Sequence, residues 1–189
     1  METQAGERIK GIEDYLTSAQ YAQGTPHEGK VVEDILDQFP LLSRGNKFHA
    51  MLATSSIPEA INYYRLFKER APQMHVTALF DPNVDNSNGA ILKGDALQEI
   101  IGDYNELFGK DFIIPTWPKM KKDITARLSH KRPYLTVDQH REERIDLLIV
   151  VDQMLTGFDS KWVNTLYLDK IIDYENIIQR SAVRTDCSA

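Results

Sequence analysis

Two short polar stretches each follow an apolar run, and their residue types suit the holding of phosphate. Thr54, Ser55 and Ser56 come after "NKFHAMLA" and before "IPEAINYYRLFKER". Amides at a helix N-terminus carry positive partial charge and point outward, and hydroxyls beside them add donors. Ser56 and Glu59 also have capping-box spacing, so Ser56 reads equally well as a helix cap. The second stretch is Thr156-Gly157-Phe158-Asp159, after "DLLIVV". Gly157 lets the backbone turn tightly or approach a ligand. Thr156 brings a hydroxyl and an amide, and Asp159 a carboxylate for a sugar hydroxyl or an arginine. The same tetrad would also serve as a plain connector between two strands.

Cations gather in two places. The run "KMKKDITARLSHKR", 119–132, sets six Lys and Arg, Lys121 and Lys122 among them, against one Asp. Such a cluster either tracks a phosphate backbone or is a solvated face. The end, "YENIIQRSAVRTDCSA", offers Gln179, Arg180 and Arg184. Arg180 and Arg184 share a face if that segment is helical. A cation at the rim of an α/β sheet can stabilise a phosphoryl transition state across an interface; the plainer alternative is a frayed charged terminus.

Other chemistries find no support. There is no G-x-x-x-x-G-K-[ST] loop to cradle phosphates. The histidines at 27, 49, 75, 130 and 140 have no ligand spacing, and with Cys187 as the single cysteine no metal site is expected. Glu28-Gly29-Lys30 has the E-x-K form of a nuclease core but lacks the strand and the Pro-Asp partner. No nucleophile–base pair of a small hydrolase is recognisable.

Hydrophobic periodicity supplies the elements that must position these residues. Val31, Val32, Ile35, Leu36 and Phe39 recur at helical spacing, with Pro40 and Gly45 as stops. A buried strand is predicted at 47–54, then a capped helix with Ala60, Tyr63, Tyr64 and Phe67 inward. A second strand is predicted at 74–80, followed by the acidic turn-rich loop "DPNVDNSNGA". Helices are predicted at 94–108, stopped by Gly109, and at about 117–129. Strands at 145–151 and 164–169 flank the tetrad, and a last helix starts near Asp173. Strands alternating with helices argue for a parallel α/β sheet, and "LLIVV" suits a strand covered on both faces. In such sheets ligands meet the loops beyond the carboxyl ends of the strands.

Of the 189 residues 42% are hydrophobic and 26% charged, which are globular values. The net charge of −6 means that the surface as a whole does not attract nucleic acid, so DNA contact requires a local patch. No signal peptide or membrane span is visible, and no intrachain disulfide can form; a reducing, cytoplasmic setting is expected.

Three blocks occurring in order carry a resemblance: "KFHAMLATSSIPEAINYYRLFK", "RIDLLIVVDQMLTGFDSKWVNTLYLDK" and "YENIIQRSAVRT". Together they resemble the second RecA-like motor lobe of the R (HsdR) subunit of type I restriction enzymes, superfamily 2 DNA translocases fused to a nuclease. The first block looks like helicase motif IV, the second motif V and the third motif VI. The resemblance implies a three-layer α/β domain with a mainly parallel sheet. It implies that residues 1–46 are a helical connector from a first lobe. Residues 47–189 would be the second lobe, with a looser insertion at about 81–140 and an end within motif VI. Thr54, Ser55, Ser56 and Thr156 would lie on the DNA backbone, to which the basic run would add Lys121 and Lys122. Gly157, Asp159, Gln179 and Arg180 would face the nucleotide cleft, and Arg184 would be the arginine finger. The pattern departs there: Val183 stands where the first arginine is usual, Arg184 is one place late and Asp186 replaces the second.

ATP and Mg²⁺ are then expected only between this lobe and the first, so the isolated chain is expected to be inactive. The implied partners are double-stranded DNA, the first lobe and nuclease domain of the same parent chain, and the methylation and specificity subunits. No membrane is involved. The competing reading is a non-catalytic α/β module that docks another protein, which the acidic charge favours.

Overall fold

The computed structural model describes residues 26–45, 47–81, 90–151 and 160–169. Helix α1 (Pro26–Leu42) leads into strand β1 (His49–Thr54), helix α2 (Ile57–Arg70) and strand β2 (Val76–Leu79). Helices α3 (Ala90–Phe108) and α4 (Trp117–Leu128) follow, then strands β3 (Leu147–Val151) and β4 (Val163–Asp169). The strands form one sheet in the order β2-β3-β1-β4, and every neighbouring pair is parallel. This is the α/β architecture expected from the alternation of elements, and it agrees with a RecA-like domain.

Every residue of β1 is buried, as are Leu147 to Val150 of β3, so helices or loops cover both faces of the central strands. The face of α2 that packs inward carries Ala60, Tyr63, Tyr64 and Phe67, as its periodicity predicts. Fully burying a side chain such as Phe67 contributes roughly 1.5–3 kcal/mol, so this face alone commits α2 to the sheet. Val32, Ile35 and Phe39 of α1 belong to the same core as the sheet. The stretch 81–140 also supplies core, through Leu97, Ile100, Ile101, Met120 and Ile124.

The strand ends fall within two residues of the sequence-based expectation, and two helix ends differ. Helix α1 runs through Pro40 to Leu42, because a proline in the last turn forfeits only one amide bond near a helix end. The stop comes from Arg44 and Gly45, both at positive φ, with the Gly45 amide donating to the Pro40 carbonyl at 3.2 Å. Helix α3 starts at Ala90, four residues before the predicted start.

The amino edge of the sheet is tied by buried polar groups. Asp146, just before β3, accepts from Arg144, from Arg141 at 2.7 Å and from the His75 amide at 2.8 Å. His49, opening β1, meets the Ile145 carbonyl through Nδ1 at 2.5 Å and His130 through Nε2 at 2.9 Å. His130 in turn stacks on Trp162, ring centroids 3.9 Å apart. Helix α4 therefore runs from the carboxyl edge, where Trp117 packs against Phe80, down to the amino edge at His130.

Candidate functional site

The carboxyl edge is where the parallel sheet presents its loops. Thr54, the last residue of β1, is in register with Val151 of β3 on one side and with Asp169 of β4 on the other. Three strand ends therefore meet beneath the Ser55-Ser56 turn.

Thr54 itself faces inward. It is fully buried, and its hydroxyl lies 3.3 Å from the carbonyls of both Val150 and Ser56. It fixes the turn from below. Ser55 is exposed and Ser56 half-buried, so these two form the outer surface of the turn. The Ser56 side chain caps α2, while the Glu59 carboxylate reaches back to the residue before the cap. The Ser56 hydroxyl accepts from the Glu59 amide at 3.4 Å, and the Glu59 carboxylate accepts from the Ser55 amide at 2.8 Å. An anion arriving at the start of α2 therefore competes with a carboxylate already there. Burial pushes the Glu59 carboxyl above its usual range; the Ser55 amide opposes this, and the charges of Asp169 and Glu28 add to it. Replacing Ser56 with Ala should lower stability by about 1 kcal/mol through loss of the cap, measured as a shift of the urea midpoint. An unchanged midpoint would show that the hydroxyl is idle in the folded domain.

Beneath the turn lies an acidic group. Asp169 is buried, accepts from the Tyr63 hydroxyl, and sits 2.9 Å from His27 Nε2. Glu28 is buried beside it, with one carboxylate oxygen 3.5 Å from the Asn62 side-chain amide. The Tyr63 hydroxyl is pushed well above the usual phenol range by burial first, then by Asp169, Glu59 and Glu28. No Lys or Arg pairs with any of these three carboxylates among the described residues. No group of His, Cys, Asp and Glu among them could hold a metal ion either.

The basic run 119–132 divides. Lys119, Lys121, Lys122, Lys131 and Arg132 are exposed. Arg127 is not available to a phosphate: it is 2% exposed, pairs with Asp123 at 2.9 Å and lies 4.0 Å from the Phe108 ring. The single Asp of the run also accepts from the hydroxyls of Tyr104 and Tyr134, both at 2.6 Å. Lys121 and Lys122 sit in the first half of α4, the half nearer the carboxyl edge. Thr156, Gly157, Asp159, Gln179, Arg180 and Arg184 lie outside the described residues.

Residues 46–186 match the family described as type I restriction enzyme subunit R domain 3. The chain belongs to that family. This R-subunit domain is 30% identical over 157 residues to the type I restriction enzyme SauMRSORF196P endonuclease subunit of Staphylococcus aureus strain MRSA252. It is 29% identical over 157 residues to the SauCOLORF180P endonuclease subunit of strain COL. It is 28% identical over 158 residues to the SsaAORF53P endonuclease subunit of Staphylococcus saprophyticus. Each match covers 79% of this chain but only 16% of the relative, so the domain spans about one sixth of their length. No helix among the described residues is long and apolar enough to cross a membrane.

Sequence reasoning found the turn and the exposed lysines but missed Glu28 and Asp169. Their only local signal was an acidic residue closing a strand, Asp169; Glu28 was seen only as part of a chance E-x-K match. His27 and Asp169 stand 142 residues apart, and only the fold joins them.

Proposed function

We propose that this domain is the second motor lobe of the R subunit of a type I restriction endonuclease, helping couple ATP hydrolysis to movement along double-stranded DNA. The family membership supports the setting. The observation that carries the DNA contact is the placement of Ser55 and Ser56 at the carboxyl edge, with Lys121 and Lys122 on the half of α4 nearest that edge. In this reading Ser55 and Ser56 meet the DNA backbone, Thr54 holds their turn in shape, and the two lysines neutralise phosphates. Thr156 joins them from the tetrad. Phosphate contacts of this kind position the duplex without reading its sequence, so target choice falls to the specificity subunit and cleavage to a nuclease domain of the parent chain.

The described residues do not by themselves fit ATP. The carboxyl edge gathers Glu28, Glu59 and Asp169, and carboxylates repel a triphosphate. The nucleotide side of the proposal rests on Gly157, Asp159, Gln179, Arg180 and Arg184 together with a first lobe that supplies the remaining phosphate contacts and the Mg²⁺.

The test uses the parent R subunit carrying Lys121→Ala and Lys122→Ala together. Both lysines are exposed, so folding is expected to be unaffected. The salt dependence of duplex binding should become shallower by about two phosphate contacts, and translocation should slow. An unchanged salt slope would remove the lysines from the interface. The reading of this edge as a protein-docking surface would then gain.

A further inference from the structure

A basic surface built on aromatic rings stands at the amino edge of the sheet, on the side of β1 and β4. Phe48 precedes β1 and Trp162 precedes β4, and their ring centroids are 6.2 Å apart. Arg44 Cζ lies 5.7 Å and Lys47 Nζ 5.8 Å from the Phe48 centroid, and Lys161 Nζ lies 5.3 Å from that of Trp162. All three cations are exposed. None of them pairs with a carboxylate among the described residues, and neither do Lys131 and Arg132, exposed just after His130. Asp138, 3.9 Å from His130 Nδ1, pairs with none of the five. In a chain of net charge −6 this is a local, unneutralised patch of the opposite sign.

The rings hold the patch in place. The Trp162 carbonyl accepts from the His49 amide at 2.9 Å, and the Trp162 amide donates to the Ser160 hydroxyl at 3.2 Å. His130 is stacked on the Trp162 ring with 6° between the planes. A cation seated on a ring keeps its head group near one position, so less freedom is lost when an anion arrives. Three features decide which anion fits. The ring faces are already used by His130 and the cations, so bases have little to stack on. Leu41, whose carbonyl accepts from the Arg44 amide at 3.1 Å, is 81% exposed beside the cations, and a phosphate backbone would leave it in water. Strands of five to seven residues, roughly 20 Å, separate this surface from the carboxyl edge, so a duplex lying there does not reach it. A protein segment carrying both carboxylates and apolar side chains satisfies the cations and the leucine together.

We propose that Arg44, Lys47 and Lys161, with Leu41, form a docking surface for an acidic segment of a partner protein in which carboxylates alternate with apolar side chains. The carboxylates meet the cations, and an apolar side chain covers Leu41. The surface is separate from the DNA contact proposed above and stands if that contact fails.

The test is NMR on the full 189-residue chain, following the indole N–H signals of its two tryptophans, Trp117 and Trp162. Trp117 is buried at the opposite edge and serves as the internal control. A synthetic peptide of Glu-Glu-Leu repeats is titrated alongside Lys-Lys-Leu repeats, poly-glutamate and a short DNA duplex. A saturating shift of Trp162 alone is expected, with the Glu-Glu-Leu peptide binding most tightly. Lys47→Ala combined with Lys161→Ala should weaken that binding about tenfold, the loss of two exposed ion pairs, with the urea midpoint nearly unchanged. Leu41→Ser should reduce the affinity to that of poly-glutamate. The proposal is overturned if Trp162 shows no saturation, if both indoles shift together, or if the duplex binds at Trp162 more tightly than the peptide. It is equally overturned if the double lysine variant binds as the unaltered chain does, or if Leu41→Ser keeps the preference for Glu-Glu-Leu.

Discussion

Asp146→Ala is expected to destabilise the domain by about 3–5 kcal/mol, the cost of removing one partner from a buried ion pair. Asp146 is 1% exposed and Arg144 2%, so neither charge is hydrated in the folded state. Arg144 depends on this one carboxylate, since its Nε is already buried without a partner. The substitution also strips the His75 amide of its acceptor just before β2 and removes the carboxylate partner of Arg141, which keeps its bond to the Gln73 carbonyl. A globular domain has only about 5–15 kcal/mol to lose, so the thermal midpoint should fall on the order of 10 °C. The check is urea unfolding followed by circular dichroism. The mechanism is separated from simple packing loss by a second variant, Arg144→Met combined with Asp146→Ala. Removing both charges should recover part of the loss, because the orphaned cation is the main cost. If the double variant is as unstable as the sum of the singles, the pair is not coupled as described.

The sequence made the sheet legible because every strand in it carries a run of apolar residues and every connecting helix a 3.6-residue stripe. "LLIVV" suited a strand covered on both faces, and Leu147 to Val150 are buried. The Ser56 cap on the Glu59 amide was legible for the same reason, since its partners lie three residues apart. Long-range polar pairing was not legible. Arg127 read as one more cation of a basic run, yet it is buried among Phe108, Tyr134 and Asp123. The i,i+4 spacing of Asp123 and Arg127 was the available signal, but spacing does not say which face of α4 turns inward. His49 and His130 are 81 residues apart and Tyr63 and Asp169 106 apart. Such pairs follow from strand order β2-β3-β1-β4, which periodicity does not encode.

The two edges of the sheet consequently do different work. At the amino edge, polar groups are mostly paired: Asp146 with two arginines, and Ser160 with the Leu128 carbonyl at 2.6 Å. These contacts set register and hold α4 against the strands. At the carboxyl edge, like charges are gathered, an acceptor is left without a donor, and the turn at Ser55 exposes its surface.

The histidine pair at the amino edge makes stability fall on acidification. His49 donates Nδ1–H to the Ile145 carbonyl, so its Nε2 is the acceptor and His130 the donor between them. A proton added to His49 would set two N–H groups against each other in a buried site. Burial lowers the His49 pKa from 6.5 to about 4; the Ile145 carbonyl opposes this, and His130 and Arg144 add to it while Asp146 works against them. His130 is also held below its ordinary value, by burial first, with Asp138 opposing and Lys161 adding. The folded state therefore binds fewer protons than the unfolded one between pH 6.5 and about 4. The stability that neutral His49 confers is complete above pH 6.5 and is lost as pH falls through that window. The loss for His49 alone is roughly 3 kcal/mol by pH 4, at up to about 1.4 kcal/mol per pH unit. Glu59, whose pKa is raised, works in the opposite direction in acid, so the wild-type curve alone is ambiguous. The informative quantity is the difference between wild type and His49→Asn, whose side-chain amide can still donate to Ile145. Urea unfolding at pH 7, 5.5 and 4.5 should show that difference shrinking steadily toward acid. A difference that is constant across the three pH values would mean that His49 is not the proton-excluding group of this edge.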